Sequence, residues 1–124
     1  MGVGALVTSG KRCLFDTGID GRYSWRLVAQ NGRVIARSGE CHPDHASCRA
    51  AFERLCAGQD GMAGGVQHTV EGNGWIWLLR DVRGRTVAVS GRAYERHATC
   101  RSAYDRFRVL LAQEGAEWVS TSLL

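Results

Sequence analysis

From Tyr23 to Ala29 apolar and polar side chains alternate, the period-two signature of a strand with one buried face. Asn31-Gly32 comes next, a pair that tolerates the positive φ of a tight type I′ turn, and Arg33 to Ser38 reads as the returning strand. An earlier apolar run around Cys13–Phe15, closed by a polar stretch from Asp16 to Gly21, supplies a third strand. Beyond Pro43 the period changes. Asp44 is suited to capping a helix, and Cys48, Ala51, Phe52, Leu55 and Cys56 then fall at i, i+3, i+4, i+7 and i+8, one apolar stripe. Gly58 ends that helix, and Gln59 to Gly65 reads as a flexible connector.

The same order of periods then recurs. Val66 to Val70 reads as a strand, Gly72-Asn73-Gly74 as a turn, Trp75 to Val82 as a strand, Arg83-Gly84 as a hairpin turn and Thr86 to Ser90 as the return. A second helix is predicted over Arg96 to Gln113, with Cys100, Ala103, Tyr104, Phe107 and Leu111 on its apolar face. Gly115 reads as its stop and Glu117 to Leu123 as a final strand. Residue identities account for the recurrence. The segment 25–55 reappears without a gap as 77–107, shifted by 52 positions, with matches such as Trp25/Trp77, Gly32/Gly84, Ala36/Ala88, His45/His97 and Cys48/Cys100. A period this long, present twice, points to a globular unit with pseudo-twofold symmetry, since a solenoid needs three or more stacked repeats. The expectation is therefore an α+β fold in a single domain spanning 1–124, made of two repeats at about 12–58 and 66–124.

A two-residue hairpin fixes which side chains stand opposite one another. Trp25, Leu27 and Ala29 would face Ser38, Ala36 and Val34, an apolar surface expected beneath the helix. The other face would pair Arg26 with Arg37 and Val28 with Ile35. In the second unit it would carry Leu78, Arg80 and Val82 against Val89, Val87 and Arg85, with Ile76 further along. Val28, Ile35, Ile76, Leu78, Val87 and Val89 thus leave apolar surface to cover, rimmed by arginines.

Composition changes this picture only modestly. With 44% hydrophobic and 23% charged residues in 124, the chain has the balance of an ordinary globular domain. The net charge of +4 permits contact with nucleic acid or an anionic surface without requiring it. Lys11 is the only lysine among sixteen Lys and Arg residues. Arginine is the better bidentate binder of phosphate, but coding composition also enriches it, and the many Gly and Ala residues favour that explanation. Five cysteines, an odd number, with no apolar signal segment, argue for reduced thiols and a cytoplasmic location. No apolar run approaches membrane-spanning length, so no membrane partner is expected.

The repeated pattern resembles the YegP-like family of small bacterial proteins, which has no established function. The residues that carry it are Tyr23-Ser24-Trp25-Arg26-Leu27, Asn31-Gly32-Arg33-Val34-Ile35-Ala36-Arg37-Ser38 and Ala46-Ser47-Cys48-Arg49. The second unit echoes them through Trp77-Leu78-Leu79, Gly84-Arg85, Val87-Ala88-Val89-Ser90 and Ala98-Thr99-Cys100-Arg101. The resemblance implies tandem β-β-β-α-β units sharing one antiparallel sheet, two helices on one face, and the strand after each helix exchanged between units. It supplies no catalytic residues and no cofactor.

Two clusters offer chemistry. Cys41, His42, His45 and Cys48 lie within eight residues and are of zinc-ligating types, but their spacing matches no common zinc motif. Cys48 or Cys100, near a helix N-terminus with a histidine three residues upstream, would serve as a nucleophile if the dipole lowered its pKa. Both cysteines also begin apolar stripes, which argues for burial. Arg49/Glu53 and Arg101/Asp105 read as surface ion pairs. The functional expectation is a non-enzymatic module for self-association or protein binding, acting through Arg26, Val28, Ile35, Arg37, Ile76, Leu78, Arg80, Val87 and Val89. The alternatives are nucleic-acid or anion binding through the same arginines, and a thiol- or metal-dependent enzyme.

Overall fold

Both central hairpins close on a glycine. The Gly32 N–H donates to the Ala29 carbonyl at 2.9 Å and the Ala29 N–H to the Arg33 carbonyl at 2.8 Å, with Gly32 at φ 88°. Gly84 and Asp81 repeat the arrangement at 2.9 and 3.0 Å, with Gly84 at φ 85°. These are three-residue loops with one left-handed glycine, in place of the expected two-residue turns, type I′ at Asn31-Gly32. The extra residue alters the register. Val28 stands opposite Val34 and Arg80 opposite Thr86, and the pairing then slips so that Leu27 faces Ala36 and Leu79 faces Ala88. Ile35 and Val87 are left as the additional residues of two β-bulges.

The computed structural model describes residues 6–8 and 10–122. Its strands are β1 (Leu6–Thr8), β2 (Lys11–Thr17), β3 (Tyr23–Val28), β4 (Val34–Ser38), β5 (Ala63–His68), β6 (Trp75–Arg80) and β7 (Thr86–Ser90). They form one antiparallel sheet in the order β1-β2-β3-β4-β7-β6-β5. At its centre Arg37 pairs with Val89, the position 52 residues further on, and Ala36–Ser90 and Ser38–Ala88 flank that pair reciprocally. Helices α1 (His45–Gly58) and α2 (His97–Ser122) cover one face, completing the α+β architecture. Strand alternation delivers Cys13, Phe15, Trp25, Leu27, Trp77 and Leu79 to a single core, where they meet Cys48, Phe52, Leu55, Tyr104, Phe107 and Leu111. The α1 N-terminus is capped as expected, the Asp44 carboxylate accepting the Ser47 N–H at 2.7 Å.

Two expectations fail after the helices. The strand predicted from Glu117 to Leu123 is absent: α2 continues through Gly115 to Ser122, and Leu123 lies outside the described residues. The reason is Trp118, which is fully buried and packs edge-on to Phe52 at 5.7 Å, a contact that a chain leaving the helix at Gly115 would forfeit. Gly115 is a crossing point instead, since a Cβ there would lie 3.2 Å from the Cys56 carbonyl of α1. The expected exchange of post-helix strands is not seen among the described residues: β5 stands 52 positions after β2 and pairs with β6 of its own half, as β2 pairs with β3. The edge of β2 is covered by β1, with Leu6 opposite Cys13. The stretch after α1 is not a loose connector either. Gln59–Gly61 forms a 3-10 turn, and Arg108 of α2 donates to the Gln59 and Met62 carbonyls at 3.0 and 3.3 Å before β5 begins at Ala63.

Candidate interaction surface

The face opposite the helices receives the residues that alternate with the core positions. Arg26 on β3 stands opposite Arg37 on β4, as the hairpin pattern implied. The like-charge contact is relieved within the chain: Arg26 Nε donates to Asp16 Oδ2 at 2.7 Å, and Arg37 Nε donates to the Gly91 carbonyl at 3.4 Å. Arg80, opposite Thr86, is exposed. Val28 and Leu78 are only 2% and 8% exposed, yet neither belongs to the helix-side core. Val28 is flanked by Arg12 and Val34, and Leu78 by Gly65 and Val89. Ile76 and Val89 are half-buried on the same face.

Ile35 and Val87 are not on this surface. Each is the extra residue of a bulge, and both pack against the helix-side core. Val34 and Thr86 take the outward places next to Val28 and Arg80. A residue that the sequence pattern did not single out, Leu14, is half-buried on β2 opposite Arg26. Its signal was present, because Cys13 and Phe15 on either side are core residues and Leu14 must point the other way.

The Cys-His cluster is dispersed. Cys41 is exposed, whereas His42 is tied by its backbone to Tyr23, N–H to carbonyl in both directions at 2.7 Å. The His45 ring packs edge-on against Phe15 at 5.1 Å and Tyr23 at 5.9 Å, the place of a core-edge residue. Cys48 is fully buried. Among the described residues no three His, Cys, Asp or Glu side chains converge in a way that would hold a metal ion. The nucleophile expectation is reversed. Burial pushes the Cys48 thiol up to about 11 and also raises Cys100, so desolvation overrides the helix dipole and keeps both protonated. Cys56 is raised to about 12, and Cys13 is raised further still, by burial first and then by the neighbouring thiols. His42 sits below its ordinary value, chiefly through desolvation, with Arg54 and Arg22 acting in the same direction and Glu40 opposing them. Arg49–Glu53 and Arg101–Asp105 are surface ion pairs, each at 3.5 Å. Among the described residues no helix is long and apolar enough to cross a membrane.

Comparison with known proteins agrees with this architecture. Residues 20–55 match a family model described as a domain of unknown function, DUF1508. The solution structure of the protein of unknown function yegP from E. coli superposes with a TM-score of 0.62 at 14% identity, covering 82% of this chain and 86% of that one. A UPF0339 protein from Shewanella oneidensis gives 0.59 at 12% identity, covering 80% and 82% respectively. No curated protein matches. The YegP-like resemblance is borne out, in sequence across 20–55 and in fold across about four fifths of the chain.

Proposed function

We propose that the chain is an interaction module that self-associates through the helix-free face of its sheet. The observation behind this reading is an apolar surface with no second layer over it among the described residues. The half-buried Leu14, Val34, Val89 and Ile76 contribute to it from β2, β4, β7 and β6, around the buried Val28 and Leu78. A single sheet with one bare apolar face normally gains a covering layer, and a second copy supplies one by twofold pairing of the same patch. The Arg26–Asp16 pair lowers the charge such a contact must desolvate.

The nucleic-acid reading has less support, because Arg26 and Arg37 already have acceptors within the chain and the large aromatic side chains of the sheet lie on the helix side. Sedimentation velocity over a concentration series separates the readings. The wild type should dimerise, and Ile76→Glu, placed at a half-exposed position, should leave a folded monomer. A wild type that stays monomeric at the highest attainable concentration removes the proposal. Salt-sensitive retention on a nucleic-acid matrix that is lost in Arg37→Ser/Arg80→Ser would favour the alternative.

A further inference from the structure

On the helix side, a groove of about 500 Å³ opens between α1 and the β6–β7 hairpin. Its apolar lining includes Leu55, Met62 and Val87. Val87 is there because the bulge turns it inward, so the irregularity that removes it from the bare sheet face helps to build this groove. The rim carries His42, Arg54, Arg83 and Arg85. The two carboxylates nearby are Glu40 and Asp81, and Asp81 Oδ1 is already occupied by the backbone N–H groups of Arg83 and Arg85, both at 3.0 Å. Several guanidinium groups elsewhere are engaged within the chain: Arg26 by Asp16, Arg49 by Glu53, Arg101 by Asp105 and Arg108 by Tyr104. Arg54, Arg83 and Arg85 are exposed at the groove mouth instead, above an apolar floor.

We infer that this groove binds a small amphipathic anion, its apolar body against Leu55, Met62 and Val87 and its anionic oxygens held by Arg54, Arg83 and Arg85. Planar guanidinium forks suit carboxylate and phosphate oxygens alike, and a concave site with apolar walls and a few convergent polar groups is the usual form of a small-molecule pocket. The set is not duplicated in the other half. At the positions 52 residues away, His42 becomes Tyr94, Arg83 becomes Asn31, and Met62 becomes Glu114, which is ion-paired with Lys11 at 3.3 Å. The groove is therefore a property of one half, built where the two copies diverge.

The test is a set of NMR titrations of the full chain with phenyl phosphate, benzoate, inorganic phosphate and benzyl alcohol, reading the Met62 methyl and the His42 ring. Phenyl phosphate or benzoate should shift both signals at lower concentration than inorganic phosphate or benzyl alcohol, and which of the two binds tighter identifies the head group. Arg83→Gln/Arg85→Gln, at exposed positions, should weaken that binding by about tenfold or more. The inference fails if none of the probes moves these signals at millimolar concentration. It also fails if the double variant binds as the wild type does, or if benzyl alcohol or inorganic phosphate binds as well as the amphipathic anions.

Discussion

Helices α1 and α2 grow from the same apolar stripe and each meets a glycine, yet α1 stops at Gly58, its fourteenth residue, and α2 runs through Gly115, its nineteenth, to Ser122. The difference lies in the residues beyond each glycine. After Gly58 come Gln59, Asp60 and Gly61, which have nothing to bury, and the chain leaves through a 3-10 turn. After Gly115 comes Trp118, whose ring reaches Phe52 over the first half of the sheet. One turn of helix past an unfavourable glycine costs about 1 kcal/mol, and burying a tryptophan outweighs it several-fold. A glycine therefore ends a helix only when the residues beyond it offer the core nothing. The two halves also differ in consequence, because α2 closes the core of the first half, while the end of α1 instead leaves room for the groove beside Met62.

The strongest way to break this comparison is Trp118→Ala. It should destabilise the protein by about 3–5 kcal/mol, the usual loss for a buried Trp, read as a lowered urea midpoint. A loss below about 1 kcal/mol would mean that the end of α2 does not close the core. The two glycines should respond with opposite sign. Gly115→Leu drives a side chain into the Cys56 backbone and should cost about 1–3 kcal/mol by overpacking. Gly58→Ala meets only the Met62 methyl at 3.8 Å, at φ −110°, and should stabilise by up to about 1 kcal/mol through the unfolded chain. Paired thermal melts settle the sign.

Much of this fold is legible in period alone. The core faces of β3, β4, β6 and β7, the Asp44 cap and the α1 stripe all derive from alternation and i, i+3, i+4 spacing. The bulges were not legible, because Asn31-Gly32 fits a two-residue and a three-residue turn equally well and only packing chooses between them. That ambiguity, met again at Arg83-Gly84, moved Ile35 and Val87 to the opposite face. The strand β1 went unread because three residues are too short to show a period. The groove is spread over β3, α1 and the β6–β7 hairpin, distant in sequence, and no local pattern announces it.

The last contrast between the halves concerns thiols. The first half buries Cys13, Cys48 and Cys56, and the second buries Cys100. Burial raises all four in the folded state, while in the unfolded chain they ionise near the ordinary value of 9.0. Because the folded state holds its protons longer, the stability they contribute is fully present below pH 9.0 and is lost as the pH rises, towards about 11 for Cys48 and about 12 for Cys56. Each buried thiol should steepen the loss by at most about 1.4 kcal/mol per pH unit. Urea midpoints between pH 8 and pH 10 should therefore fall, and Cys56→Ala should flatten that fall whatever it does to stability at neutral pH. A slope unchanged by Cys13→Ala and Cys56→Ala would show that these thiols are not buried as described. In the native protein at neutral pH a thiol reagent should modify Cys41 alone, since it is the exposed cysteine, and rapid labelling of Cys48 would reopen its candidacy as a nucleophile.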